Sequence, residues 1–170
     1  MKTIEIALYE FEELTENGRE KALQEYAYFN VDDDWWRNVY EDAKMVGIEL
    51  NSFDLYRSNY CNGDFIKNAI SCAKLICLNH GENTETYKIS DKFINCPNVT
   101  EDDELNFRDL LLGAYLKLLK HEYEYLTSEE GIIDTIKPND YLFMVDGSKG
   151  NKLERLARTI KVSTKDKTNQ

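Results

Sequence analysis

Residues 32–56 read DDDWWRNVYEDAKMVGIELNSFDLY, and this stretch decides the fold class. Trp35, Trp36, Val39, Tyr40, Ala43 and Met45 fall at helical spacing. Asp32, Asp33 and Asp34 stand where an N-cap and first turn are expected, a place where negative charge suits the helix dipole. Gly47 lies where a left-handed residue closes a helix. From Ile48 onward the pattern changes to strict alternation, which predicts a strand over 48–56. A period of 3.6 joined through one glycine to a period of two places helix and strand side by side.

Working outward, segment 3–11 (TIEIALYEF) also alternates and is expected to be a strand, paired with 48–56 across a helical crossover. Thr15 predicts the cap of a first helix carrying Ala22, Leu23, Tyr26, Ala27 and Phe29, with Gly18 weakening its first turn. Segment 59–63 (NYCNG) has turn chemistry, and 66–78 is an apolar helical run closed by Asn79-His80-Gly81. Segment 87–93 has no settled type. Thr100 is expected to cap the longest helix, whose first turn carries Glu101, Asp102, Asp103 and Glu104. Its apolar stripe is read as Leu105, Leu110, Leu111, Ala114, Tyr115, Leu118 and Leu119. Ser128 predicts the cap of a short helix ending at Lys137-Pro138, 141–145 (YLFMV) has strand composition, and Asp146-Gly147 signals a turn. Leu153, Leu156, Ala157 and Ile160 suit a last basic amphipathic helix, with a frayed tail over 163–170. The expectation is an α+β protein: a small antiparallel or mixed sheet packed by four to five helices in a single domain. An acidic body spans 1–147 and a basic helix or tail spans 148–170.

Charge supports that division. The first 130 residues carry 27 acidic against 13 basic side chains, and the last 40 carry five against eight, for a net charge of −11. Such a body repels nucleic acid and anionic membranes and is drawn to basic protein surfaces. Twenty aromatic residues, 11 of them Tyr, argue for a packed core with amphipathic rings at contact surfaces. No apolar run of signal-peptide or membrane-span length is found, which predicts a soluble protein of the cytoplasm. Cys61, Cys72, Cys77 and Cys96 include no Cys-x-x-Cys pair and are read as free thiols.

No motif points to catalysis. His80 and His121 lack zinc-motif spacing, and there is neither a nucleophile elbow nor a phosphate-binding loop. No cofactor and no metal are expected, and the chain is not read as an enzyme. Adjacent Trp35 and Trp36 must point to different sides of a helix, so that one faces the core and one a partner, or both pack inside. Carboxylates spread over a rigid surface imitate a phosphate array and compete for Lys/Arg-lined channels. Plain solubility explains the same acids, and capping explains those before helices. Asp32, Asp33, Asp34, Trp36, Tyr40, Glu41, Asp42, Glu101, Asp102, Asp103, Glu104 and Tyr123 are therefore the candidate partner-binding residues. A homodimer is compatible with the aromatic count.

The residues Tyr9 to Leu14 (YEFEEL), Lys21-Ala22, Trp35-Trp36, Tyr40 to Lys44 (YEDAK), Gly47-Ile48, Phe53-Asp54-Leu55 and Asn59-Tyr60-Cys61-x-Gly63 carry a resemblance. This third or so of the chain resembles a family of small acidic proteins of phages and prophages of gut Firmicutes, some labelled antitoxin-like. Phage proteins of this size and character include anti-CRISPR inhibitors of Cas9. The resemblance implies a protein that binds Cas9 or its guide-loaded complex inside the bacterial host and blocks DNA recognition or cleavage. The alternative it leaves open is an antitoxin that masks a basic toxin.

Overall fold

The computed structural model describes residues 6–150. Its class is α+β: six α-helices and one two-stranded antiparallel sheet. The chain divides into two compact units: a middle one that is a single run of sequence, Asp34–Glu124, and an outer one that joins the flanking segments Met1–Asp33 and Tyr125–Gln170.

The middle unit is built on α2 (Arg37–Met45), β1 (Ile48–Asp54), β2 (Tyr60–Phe65), α3 (Ala69–Asn79), α4 (Glu85–Ile94) and most of α5 (Glu101–Leu126). Gly47, at φ +93°, turns the chain from α2 into β1 as its position implies. The partner of β1 is β2, joined by a tight hairpin, and not segment 3–11. Asp54 makes this hairpin: its carboxylate accepts the backbone N–H groups of Tyr56, Arg57 and Ser58 at 2.9, 3.0 and 3.0 Å. Asn59 then takes φ +50°, which an Asn tolerates better than most residues. The turn therefore lies before Tyr60, and 60–63, expected to be a turn, is strand.

Asn68, Thr84 and Ser128 cap α3, α4 and α6 (Glu129–Ile136), each side chain accepting a first-turn N–H. The segment of unsettled type around 87–93 is thus helix, which raises the number of helices to six. Thr100 and Asp103 cap α5 reciprocally: Asp103 Oδ2 accepts the Thr100 N–H at 2.9 Å, and Thr100 Oγ1 accepts the Asp103 N–H at 3.3 Å. The buried face of α5 is narrower than its sequence stripe. Phe107, Leu111, Ala114, Tyr115 and Leu119 are buried, whereas Leu105, Leu110 and Leu118 are about half exposed. Phe107 stacks flat on Phe93 with ring centroids 4.1 Å apart, joining α5 to α4.

Asp32, Asp33 and Asp34 do not cap α2. A 3-10 turn, Phe29–Val31, ends at Asp32, and the N-cap of α2 is Trp36, with no side-chain cap. The tryptophans precede the helix, so helical phase does not separate them. Both are half-buried, lie 5.8 Å apart edge to face, and both rings meet Phe53.

The outer unit has an aromatic core of Phe11, Leu14, Ala22, Tyr26, Ile132, Ile136 and Phe143. Thr15 caps α1 (Glu16–Tyr26), as its sequence position implies. Segment 3–11 is not a strand where it is described. Tyr9 makes one antiparallel bridge to Phe143, and Phe11–Glu13 is a 3-10 turn closed by the Glu10–Glu13 capping box. Segment 141–145 likewise holds only bridges at Phe143. Gly147, at φ +85°, brings its backbone so close to Gly18 that an added Cβ would sit 2.0 Å from the Gly18 carbonyl oxygen. The basic helix and tail expected over 153–170 lie outside the described residues. Cys61, Cys72, Cys77 and Cys96 are free thiols. Among the described residues no helix is long and apolar enough to cross a membrane.

Candidate functional site

Helix α2 sets out chemistry on both of its flanks, because residues one apart on a helix point about 100° apart. On one flank Arg37, Tyr40, Glu41 and Lys44 face Glu49 and Leu50 of β1, with Asp34 and Trp36 at the end, around a groove of about 270 Å³. Trp36 and Tyr40 are half-buried. Phe53 holds their rings from beneath, with centroids 5.9 and 6.2 Å away. Arg37 pairs with Asp34 at 3.6 Å, an exposed contact worth little by itself. Glu41 and Glu49 are exposed and make no ion pair among the described residues. Burial, first, and the neighbouring Cys61 and Tyr60 push the Tyr40 phenol above its ordinary range, so it stays a hydrogen-bond donor.

On the other flank Asn38, Val39 and Asp42 form one wall of a larger cleft of about 590 Å³. The α3–α4 turn and α5 complete it with Asn79, His80, Thr84, Glu85 and Thr86, and with Ala114, Lys117, Leu118, His121 and Glu122. Both histidines of the chain meet here. Asp42 lies between two partners: the Tyr115 hydroxyl donates to Oδ2 at 3.2 Å, and His80 Nε2 stands 3.5 Å from Oδ1. That second distance is an electrostatic contact, too long for a good hydrogen bond. Nε2 accordingly has no hydrogen-bond partner among the described residues.

The other ring nitrogen, Nδ1, lies at hydrogen-bond distance, 2.8 Å, from Thr86 Oγ1. Thr84 Oγ1 donates to the Gly81 carbonyl at 2.7 Å, and a carbonyl can only accept. Thr84 Oγ1 accepts the Tyr87 backbone N–H at 3.2 Å and lies 3.3 Å from Thr86 Oγ1. Assigning the ring proton to Nε2 turns it toward the Asp42 carboxylate, with the Thr86 hydroxyl donating to Nδ1. His80 holds the Asp42 carboxyl below the ordinary value of 3.8, against the opposing effect of its burial, and Tyr115 adds to the lowering. Burial, and then the charge on Asp42, raise the Tyr115 phenol well above its ordinary range.

The twelve residues singled out in the sequence do not form one surface. Asp34, Trp36, Tyr40 and Glu41 share the groove, and Asp42 belongs to the cleft. Asp103 is engaged by its cap, and Glu101 and Asp102 are exposed beside it, with Glu104 half-buried, on the first turn of α5. Tyr123 is roughly 30 Å further along that helix, at ~1.5 Å per residue, and is half-buried against Trp35 and Tyr56. Asp32 and Asp33 are exposed after the 3-10 turn. Sequence inspection missed Asn38, Asn79, His80, Thr86, His121 and Glu122 as companions. The available signal was the pairing of a chain's only two histidines with a Thr-x-Thr cap. Among the described residues no group of three His, Cys, Asp or Glu side chains is placed to hold a metal ion. No family model, curated protein or solved structure matches this chain, so both flanks of α2 are interpreted from their own chemistry.

Proposed function

We propose that the protein works by binding, one to one and without turnover, a basic surface of a nucleic-acid-handling protein in the bacterial cytoplasm. Its most specific form is a phage-encoded inhibitor of Cas9 or of the Cas9–guide RNA complex. The observation that carries this reading is the groove beside α2. Glu41 and Glu49, which make no ion pair among the described residues, share it with the rings of Trp36 and Tyr40. Arginine suits such a place: its guanidinium stacks on aromatic faces and pairs with carboxylates through a planar fork. Arginines of that kind read the PAM and line nucleic-acid channels in Cas9. The net charge of −11 adds attraction at longer range and repels competing nucleic acid.

A plasmid-interference assay in bacteria carrying active Cas9 tests the reading. Expression of the protein is expected to protect the target plasmid, with protection saturating near equimolar inhibitor. The double reversal Glu41→Lys/Glu49→Lys is expected to weaken binding at least about tenfold, since charged pairs at an interface carry a few kcal/mol. Reversal of Glu101 and Asp102, far along α5, is expected to cost much less. Full interference in the presence of the protein sinks the Cas9 assignment. Recovery of a small basic toxin with the protein as bait would replace it with the antitoxin alternative.

A further inference from the structure

We propose that the free edge of β2, opposite α5, takes up an extended basic peptide of a partner protein as a third strand. The inference does not rest on the function proposed above, and the trough concerned shares no lining residue with either flank of α2. Every residue of the run 59–64 lines this trough, of about 500 Å³. Successive side chains of a strand point to opposite faces, so a groove lined by each residue in turn runs along the strand's edge. The sheet has two strands, and among the described residues β2 pairs only with β1. The Ile66 N–H is bonded to the Gly47 carbonyl at 2.9 Å, which sets the alternation. Asn62 and Asp64 therefore turn their backbone groups to β1, while Cys61, Gly63 and Phe65 turn theirs to the trough. The register shift lies on β1, between Leu50 and Ser52, and leaves the phase of β2 intact. Asp64 Oδ1 accepts the Phe65 N–H at 2.8 Å and closes that end of the edge. The outward N–H and C=O groups of Cys61 and Gly63 have no partner among the described residues.

The trough selects its occupant. Donors and acceptors that recur every second residue, ~6.6 Å apart, are matched by another extended backbone. The opposite wall is α5, with Arg108, Asp109, Leu112, Gly113 and Leu116. Gly113 lies inside a 26-residue helix, where glycine weakens the helix relative to alanine. A Cβ added there would meet nothing within 4 Å, so no packing among the described residues calls for a glycine, and its bare backbone keeps that wall open. Leu112 forms the floor, its Cδ2 placed 3.1 Å from a Cβ added at Gly63. Arg108 is the one cation of the trough, and Asp109 Oδ1 accepts its Nε–H and Nη2–H at 3.2 and 3.1 Å. Asp64, 4.0 Å from Arg108 Nη1, exposes 71% of its side chain. Two carboxylates against one guanidinium leave the rim negative, as does the net charge of −11, and favour lysine or arginine on the peptide. The alternate side chains of the same peptide meet Leu112 and Leu116, which suits apolar residues.

The probe is a capped heptapeptide that alternates lysine and valine, titrated into the full chain by calorimetry and followed in its backbone amide NMR signals. Saturable binding is expected, with the Cys61 and Gly63 amides shifting most and their hydrogen exchange slowing. Two versions of the peptide carry N-methyl groups, one on the lysines and one on the valines. Only one edge of a strand faces β2, so one version is expected to bind at least about tenfold more weakly and the other nearly as well as the parent. Glutamate in place of each lysine should weaken binding by about the same factor. Gly113→Leu places a side chain in the trough without a clash inside the chain, and is expected to weaken binding at least about tenfold with no fall in Tm. Glu41→Gln should leave the affinity unchanged. Absence of saturable binding by the lysine–valine peptide overturns the proposal. So do equal affinities of the two N-methylated versions, a comparison made on the unaltered chain, and an unchanged affinity in Gly113→Leu. Dimerisation of the chain without peptide, with slowed exchange at Cys61 and Gly63, would assign the edge to a second copy and overturn it as well.

Discussion

Glu41 and Asp42 are neighbours in the chain, carry the same charge, and have opposite employment. Glu41 is exposed on the groove flank of α2 and makes no ion pair among the described residues. Asp42 is half-buried on the cleft flank, clasped by Tyr115 and set against His80. One helical step, about 100°, separates a carboxylate left for a partner from one built into the molecule. An acidic cluster in a sequence therefore has no single meaning. The phase of the helix that carries it distributes its members between solvent, core and cap.

Mutations that act on one flank and spare the other can break this contrast. Tyr115 is fully buried beneath the Asp42 flank, so Tyr115→Ala is expected to cost about 3–5 kcal/mol in urea unfolding. A cost below ~1 kcal/mol would show that the cleft flank is not anchored in the core. His80→Ala is expected to cost about 1–3 kcal/mol, because it removes the hydrogen bond with Thr86 and leaves Asp42 without its imidazole. Asp42→Asn should cost less, about 1 kcal/mol at neutral pH, discounted for its partial exposure. It should also alter acid unfolding. The Asp42 pKa is lowered on folding, so its stabilisation is present above the ordinary value of 3.8 and is lost as pH falls through the lower folded value. Below 3.8 the stability of the unaltered chain should thus fall toward that of Asp42→Asn, and parallel acid limbs would contradict this. The smallest effect is expected from Glu41→Gln, within about 0.5 kcal/mol in a thermal melt, with its consequence confined to partner binding.

Local signals in the sequence were sound where one side chain sufficed to produce the structure. Thr15, Thr100 and Ser128 cap the helices they precede, and Gly47 adopts the left-handed turn its position requires. Pairing between distant segments was not legible. Segment 3–11 alternates as a strand does, yet the Glu10–Glu13 box curls it into a 3-10 turn after a single bridge at Tyr9. The true partner of β1 was hidden because Asp54, an ordinary strand residue by pattern, gathers three backbone N–H groups to make a hairpin. For Asp32, Asp33 and Asp34 two duties compete, and the 3-10 turn ending at Asp32 pre-empts the cap. The groove gathered four of the residues singled out for binding. The cleft was invisible, since no periodicity relates His80 to Asp42 across the intervening hairpin and helix.

The hairpin and its flanking helices occupy an uninterrupted run, Asp34–Glu124, whereas the outer unit is assembled from two pieces of chain. During synthesis the middle run can close its own contacts as soon as it is complete, in line with the tendency of compact units to fold as they emerge. The first piece of the outer unit has no such option. Phe11, Tyr26 and their neighbours must wait for Ile132, Ile136 and Phe143, which are made after the middle run. Closing a long loop before any reward is entropically unfavourable, and prior compaction of the intervening run lowers that penalty. The order of appearance on the ribosome thus favours a middle unit, with both flanks of α2 in place, that matures before the outer one is sealed.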